Sequence, residues 1–279
     1  MKHLKALTTA VSRRLVATSI GTGLLYVRQR MRAIKSVAID PEQGGCVCQE
    51  LLAERLLANL CRPGRTFIDV GSHVGSVVAQ VRRHCPHASI IAIEADPEKS
   101  LAIRHRFPSI TVHTIAAAEA AGTATFYIDE ARSGYSSLLR SNVAKPRAIE
   151  VDLRPLDDIV QSSASVDIVK IDVEGAEIRV LRGADALVHR CRPLIVFESA
   201  TPASEASRDA ILDVFDWLAK RCYGCFLPNR VAHDGPPLGR DAFFAGHFYP
   251  RYATNYFAIP EESRTLWRDS ARRVLGTHV

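Results

Sequence analysis

Three groups of residues carry the chemistry this sequence offers. The first is Asp69-Val-Gly71-Ser72-His73-Val-Gly75, an acid and a glycine turn. It follows a short apolar run at 67–70 and leads into a helical pattern whose valines, Val74, Val77, Val78 and Val81, form one stripe. A turn of this kind lets backbone N–H groups and a helix N-terminus face a polar ligand. Gly71 permits a tight turn and close ligand approach, and Gly75 lets the helix start lie against the sheet. The second group is Glu94, at the end of the next strand-like run. Its distance from the turn is close to the roughly 20 residues that place a ribose-binding carboxylate in such folds. A carboxylate there accepts both ribose hydroxyls; capping of the helix opened by Asp96-Pro97-Glu98 is the competing role. The third group is Asp172 and Glu174, which bracket the C-terminal end of a predicted central strand at 167–173. Ligands of open α/β sheets bind beyond such strand ends.

A nicotinamide fingerprint would read G-x-G-x-x-G, with an apolar residue in place of Asp69. Its second and third glycines are missing here. An acid before the turn, with a second acid at the next strand end, is instead the pattern that cradles S-adenosylmethionine. An NAD-binding, dehydrogenase-like protein is the alternative reading.

These residues need a scaffold, and the texture of the chain supplies one. Strand candidates at 67–70, 89–94, 110–115, 124–128, 149–153, 166–172, 194–198, 222–227 and 256–259 are interleaved with helical patterns, including 176–181 and 204–220. That alternation predicts a doubly wound α/β sheet with helices on both faces. With 279 residues, 47% of them hydrophobic, the chain can fill a sizeable core. Seven cysteines, an odd count in a chain too large to need staples, suit reduced thiols and a cytoplasmic setting. Cys46-x-Cys48 and Cys222-x-x-Cys225 invite a zinc reading, but no spacing links the pairs, and no metal is expected.

The charge is uneven. Residues 1–35 hold Lys2, Lys5, Arg13, Arg14, Arg28, Arg30, Arg32 and Lys35 without one acid, so they carry the whole positive excess of the +6 chain. A body without basic excess argues against nucleic acid as a partner. The arm itself reads as a helix packing on the body or a partner, as a peripheral membrane contact through residues 1–36, or as a targeting segment. Its longest uncharged run, 15–27, is shorter than the roughly 20 residues that cross a bilayer. Residues 41–45 read as a hinge, and Leu51, Leu52, Leu56 and Leu60 as a helix after it. The expected division is therefore a basic helical arm and hinge at 1–60, a main domain at 61–260 and a helical tail at 261–279.

The spaced blocks FIDVGSHVGS, IIAIEADPE, IAAAEAAGTATFYI, GYSSL, VDLRPLDDIV, VDIVKIDVEGAEIRVLRGA, PLIVFES and NYFAIP span residues 66–260. In that order they resemble the FkbM family of S-adenosylmethionine-dependent methyltransferases. The resemblance implies a Rossmann-like, seven-stranded methyltransferase sheet and S-adenosylmethionine as the cofactor. It also implies a small-molecule or glycan acceptor, methylated on oxygen. Asp69, Gly71, Ser72, His73, Gly75 and Glu94 then belong to the cofactor site, with Ala116 and Ala117 near the adenine. Asp172 is expected first, and Glu174 second, to orient and deprotonate an acceptor hydroxyl, bonding to loop amides being the other role for Glu174. Residues 134–138 border substrate or cofactor, or form an ordinary turn. Glu198 contacts substrate or caps a helix, and Asp157 is expected to cap one. The family usually has Ala-Asn where this chain has Ser72-His73, and His73 can take over the asparagine's contact. A binding module that keeps the fold without catalysis, docked through its arm, is the remaining alternative.

Overall fold

The computed structural model describes residues 27, 31, 34, 35, 37–130, 136–140, 146–199, 201–202 and 205–277. The expected membrane contact at 1–36 and the first residues of the 134–138 block lie outside the described residues, apart from isolated positions of the former. Among the described residues no helix is long and apolar enough to cross a membrane.

Residues Pro41–Leu60 form one helix, α1, so the segment expected to hinge is helical. Proline is tolerated in a first helical turn. Gly44 sits there because a Cβ would meet Val37 backbone and side-chain atoms at 3.0 Å. Beyond α1 the order is β1 (Thr66–Val70), α2 (Ser76–His84), β2 (Ser89–Ile93), α3 (Pro97–Arg106), β3 (Thr111–His113), β4 (Ala116–Ala117), β5 (Gly122–Asp129) and β6 (Pro146–Arg154). There follow α4 (Leu156–Ile159), β7 (Val166–Ile171), α5 (Glu177–Arg182), α6 (Asp185–Cys191), β8 (Leu194–Glu198), α7 (Glu205–Ala219), β9 (Tyr223–Phe226), α8 (Arg240–Ala245), β10 (Asn255–Pro260) and α9 (Arg264–Leu275).

Seven strands make one sheet in the order β3-β2-β1-β7-β8-β10-β9. From β3 to β8 every pairing is parallel, with Asp69 opposite Lys170 and Ile171 opposite Phe197. β10 runs antiparallel between β8 and β9. The chain winds outward from β1 to β3, then returns to β1's other side with β7. This reversal is the switch point beside which open α/β sheets bind ligands.

The strand faces alternate, as the period of two requires. Ile68, Val70, Val169, Ile171 and Phe197 bury one face with residues of α5, α6 and α7, such as Leu181, Leu187 and Leu218. Phe67, Ile168 and Val196 bury the other with Leu56 and Leu57 of α1, Val78 and Val81 of α2, and Trp267 of α9. α1 and α9 are thus parts of the body's second core.

The predicted strands at 124–128 and 149–153 exist but join β4 in a separate three-stranded sheet, β4-β6-β5, with its own small core around Phe126 and Val151. Sequence patterning gives strand existence and not sheet membership. Two further elements are too short for periodicity to show: β4, and α6, whose first-turn N–H groups at Ala186 and Leu187 are accepted by Asp157 at 2.9 and 2.8 Å. Asp157 is a cap, as expected, but for a helix 30 residues on rather than its own.

Gly183 joins the two sheets. A Cβ there would lie 2.0 Å from the Ala118 carbonyl oxygen and 3.2 Å from Pro155 Cα, so the end of α5 touches the β4 segment backbone to backbone. Gly183→Ala is expected to cost about 1–3 kcal/mol, the usual range for overpacking, read as a lowered urea midpoint at unchanged m-value.

Candidate active site

At the end of β1 the backbone turns left-handed at Gly71 (φ 82°). A Cβ there would sit 1.8 Å from the Asp172 carbonyl oxygen, so only glycine lets the β1 and β7 ends come this close. The N–H groups of Gly71 and Ser72 both donate to the Ile93 carbonyl, at 2.9 and 3.0 Å, tying the turn to the end of β2. The Ser72 hydroxyl donates to the Asp69 carbonyl at 2.7 Å. His73 is left-handed at φ 51°, Gly75 at φ 74°. A Cβ on Gly75 would press on Phe107 and Ile103, at 3.1 and 3.4 Å, so this glycine admits α3 and its end rather than the sheet. No side chain caps α2 at Gly75, which leaves the first-turn N–H groups of that helix to other acceptors.

Glu94 is 5% exposed, yet borders the cavity described below. It accepts from His73 N–H at 2.7 Å and from Asp96 N–H at 2.9 Å. The cap of α3 is Asp96 itself, which accepts from Glu98 N–H at 3.0 Å, so Glu94 is not needed for that role. Burial pushes its carboxyl up to about 7, against the opposing pull of Lys99. A buried acid with both oxygens on backbone N–H groups is a rigid acceptor for a further pair of hydroxyls.

A second charged centre lies at the ends of β7 and β8. Lys170 is 7% exposed, and its Nζ meets Asp172 Oδ2 at 2.7 Å. Asp172 and Glu198 lie side by side, one residue beyond the Ile171–Phe197 pairing of β7 and β8, and each acts on the other's charge. Burial opposes the charge on Lys170, but Asp172, Asp69 and Glu198 together hold its pKa above the ordinary value. Burial likewise opposes ionisation of Asp172, and the Lys170 charge more than reverses this, holding it low. Glu198 is pushed up to about 9, by burial first and then by the Asp172 charge. Glu174 is left-handed at φ 55°, and its carbonyl accepts from the Ser137 hydroxyl at 2.9 Å, which ties the small sheet's edge to the end of β7.

A cavity of about 320 Å³ joins these pieces, within the range of small-molecule sites. Of the residues expected from sequence, Gly71, His73, Glu94, Ala116, Ala117, Asp172 and Glu174 line it. Asp69, Ser72 and Gly75 do not. Asp69 is 1% exposed, and neither of its carboxylate oxygens has a hydrogen-bond partner among the described residues; burial pushes its carboxyl up to about 6, with Lys170 opposing. Phe126, Leu138 and Ile115 add an apolar end, and Glu198 a carboxyl at the other. Glu198 was legible as a sheet-edge acid, whereas its pairing with Asp172 needed the β7–β8 register. A second cavity of about 260 Å³ lies toward α1 and is lined by Glu50, Glu54, Val77, Thr254 and Asn255. Asp172 and Glu198 border both cavities. Among the described residues no cluster of three or more His, Cys, Asp or Glu side chains is placed to hold a metal.

The cradle fits S-adenosylmethionine: a buried acceptor for a ribose diol, an apolar end for an adenine, and carboxylates facing a cation. Its cost to the ligand-free protein is measurable. A carboxyl raised in the folded state binds a proton that the unfolded chain releases, so its stabilisation is lost as pH climbs through the folded value. His113 and His247, lowered by burial from 6.5, act in the opposite sense below that pH. The clean window is therefore pH 7 to 8.5, where Glu198 at about 9 and the upper parts of Glu94 and Glu177, each at about 7, remain. Thermal midpoints are expected to fall across that window, with a flatter slope in Glu198→Gln; a rise would contradict the burial described.

Comparison with known proteins gives the family. The Methyltransferase FkbM domain matches residues 69–224. Methyltransferase sdnD of Sordaria araneosa is 26% identical over 166 residues, covering 46% of this chain and 63% of that protein. Methyltransferase 1 of Beauveria bassiana (strain ARSEF 2860) is 25% identical over 152 residues, covering 44% and 60%. The chain thus spans less than two thirds of either relative. A crystal structure of Methyltransferase FkbM from Methylobacillus flagellatus KT aligns at 16% identity with a TM-score of 0.46, covering 82% of this chain and 58% of that one. The FkbM match runs from Asp69 in β1 to Gly224 in β9, taking in the glycine turn, Glu94, Asp172 and Glu198, and the chain belongs to the FkbM family of S-adenosylmethionine-dependent methyltransferases.

Proposed function

We propose that this chain transfers the methyl group of S-adenosylmethionine to a hydroxyl oxygen of a sugar, a glycan or another small metabolite. One observation carries the reading: a single cavity has Glu94 and Asp172 in its walls, at the ends of β2 and β7. With β1 between them, they are two strand spacings apart, roughly 10 Å. That span suits a nucleoside held at its ribose with its sulfur toward β7.

When bound, the cofactor supplies an electrophilic methyl carbon on a positively charged sulfur. The chain's own residues do the rest. Glu94 accepts from the ribose hydroxyls, and Gly71 and His73 of the turn border the amino-acid end. Ala116 and Ala117 give a flat, small-residue wall beside Phe126 for the adenine. Asp172, fixed by Lys170, orients the acceptor hydroxyl and draws off its proton, and holding the oxygen about 3 Å from the methyl carbon is the main source of rate. The preference for oxygen comes from the family resemblance.

Calorimetry tests this. S-adenosylmethionine is expected to bind and NAD not to; heat with NAD alone would return the dehydrogenase-like reading. Hydrogen bonds to a charged group contribute about 1.5–3 kcal/mol each, so Glu94→Gln is expected to weaken cofactor binding at least tenfold. Asp172→Asn is expected to lose transfer of labelled methyl to acceptors in a cell extract by a far larger factor than it weakens cofactor binding.

A further inference from the structure

We propose that Asp172 and Glu198 hold one proton between them, that the pair gives it up when the sulfonium cofactor binds, and that the emptied pair receives the acceptor's proton from the second cavity. The proposal rests on the cofactor reading above. Its geometric basis is the β7–β8 register: Ile171 lies opposite Phe197, so the next residues out, Asp172 and Glu198, are neighbours across the sheet edge. Two carboxyls held side by side in a partly enclosed site repel when both are ionised, so the pair retains one proton. The pair is also the partition between the two cavities, bordering the main one and the one toward α1.

The surrounding charges make that proton exchangeable. Lys170 on β7 faces the pair and is engaged by Asp172 at 2.7 Å. Asp69 on β1, Glu174 beyond β7 and His73 in the glycine turn also act on these groups. Glu50 and Glu54 of α1 border the second cavity. Carboxylates outnumber cations here, so the site admits one more positive charge. In the ligand-free protein a proton provides it, consistent with a Glu198 carboxyl pushed up to about 9 by burial and by Asp172. A sulfonium provides the same charge from the cofactor, and the proton becomes surplus.

The balance closes over the reaction. The acceptor oxygen forms a bond to the methyl carbon, the sulfur–methyl bond breaks with its electron pair left on sulfur, and the acceptor's O–H proton passes to the Asp172–Glu198 pair. The sulfur is then neutral and the pair protonated, so the net charge of the site is the same before and after. The base is thus free when the methyl donor is in place and is occupied again once the thioether product has formed.

The two ligands S-adenosylmethionine and S-adenosylhomocysteine share their amino and carboxyl groups and differ in the sulfonium, so they isolate the effect. Titration calorimetry of each into the full chain at pH 7.5, in buffers of different ionisation enthalpy, counts protons. Release of close to one more proton per S-adenosylmethionine than per S-adenosylhomocysteine is expected, with the difference lost in Glu198→Gln. On the unmodified protein, the affinity ratio of the two should rise toward tenfold per pH unit between pH 6.5 and 8.5. Equal proton counts and a pH-independent ratio would overturn the proposal while leaving the cofactor reading intact. Failure of both ligands to bind would refute the cofactor reading, and this proposal with it.

Discussion

The arrangement of the site depends on one buried ammonium. Lys170 sits on the central strand opposite Asp69 and next to the Asp172–Glu198 pair, nearly closed off from solvent. An isolated charge at such a place would be driven to its neutral form. Several carboxyls around it reverse that preference, and each is in turn less costly to bury because the ammonium is there. Removing one member would strand the others, which makes the cluster a unit rather than a set of independent contacts. The position of Asp172, and with it the closeness of the β1 and β7 ends, follows from this unit.

Two of the four left-handed residues other than glycine, among the described residues, lie at the same edge. His73 and Glu174, neither of them glycine, adopt left-handed conformations and both line the main cavity. That conformation costs about 1–2 kcal/mol per residue for a side chain with a Cβ. The surroundings hold them in place: Glu94 accepts from the His73 N–H, and Ser137 donates to the Glu174 carbonyl. Strain that is held by specific partners at a cavity is characteristic of sites that must be shaped before a ligand arrives.

Much of this was legible in the chain. The acid and glycine turn, Glu94 and the Asp172-Val-Glu174 block could be placed at strand ends because apolar runs and breakers mark strand boundaries directly. Three things were not legible, each for a stated reason. Helix α1 includes Gly44 and Gly45, which read as a breaker until their helical setting and the contact with Val37 are seen. Asp69 reads as a ligand contact, but the strand's alternation turns it to the α1 and α2 side with Lys170 rather than into the main cavity. The pairing of Asp172 with Glu198 depends on which strands are neighbours and in what register, information that is non-local by nature.

The second cavity is walled partly from outside the shared domain. Its Glu50, Ala53, Glu54 and Leu57 come from α1, its Thr254 from just before β10 and its Asn255 from that strand's first residue. All six fall outside the stretch, 69–224, that matches the shared domain. That stretch supplies the inner carboxyls Asp172 and Glu198, while the outer wall is drawn from flanking sequence. A substitution in either flank can therefore reshape this chamber while every residue of the matched stretch stays as it is.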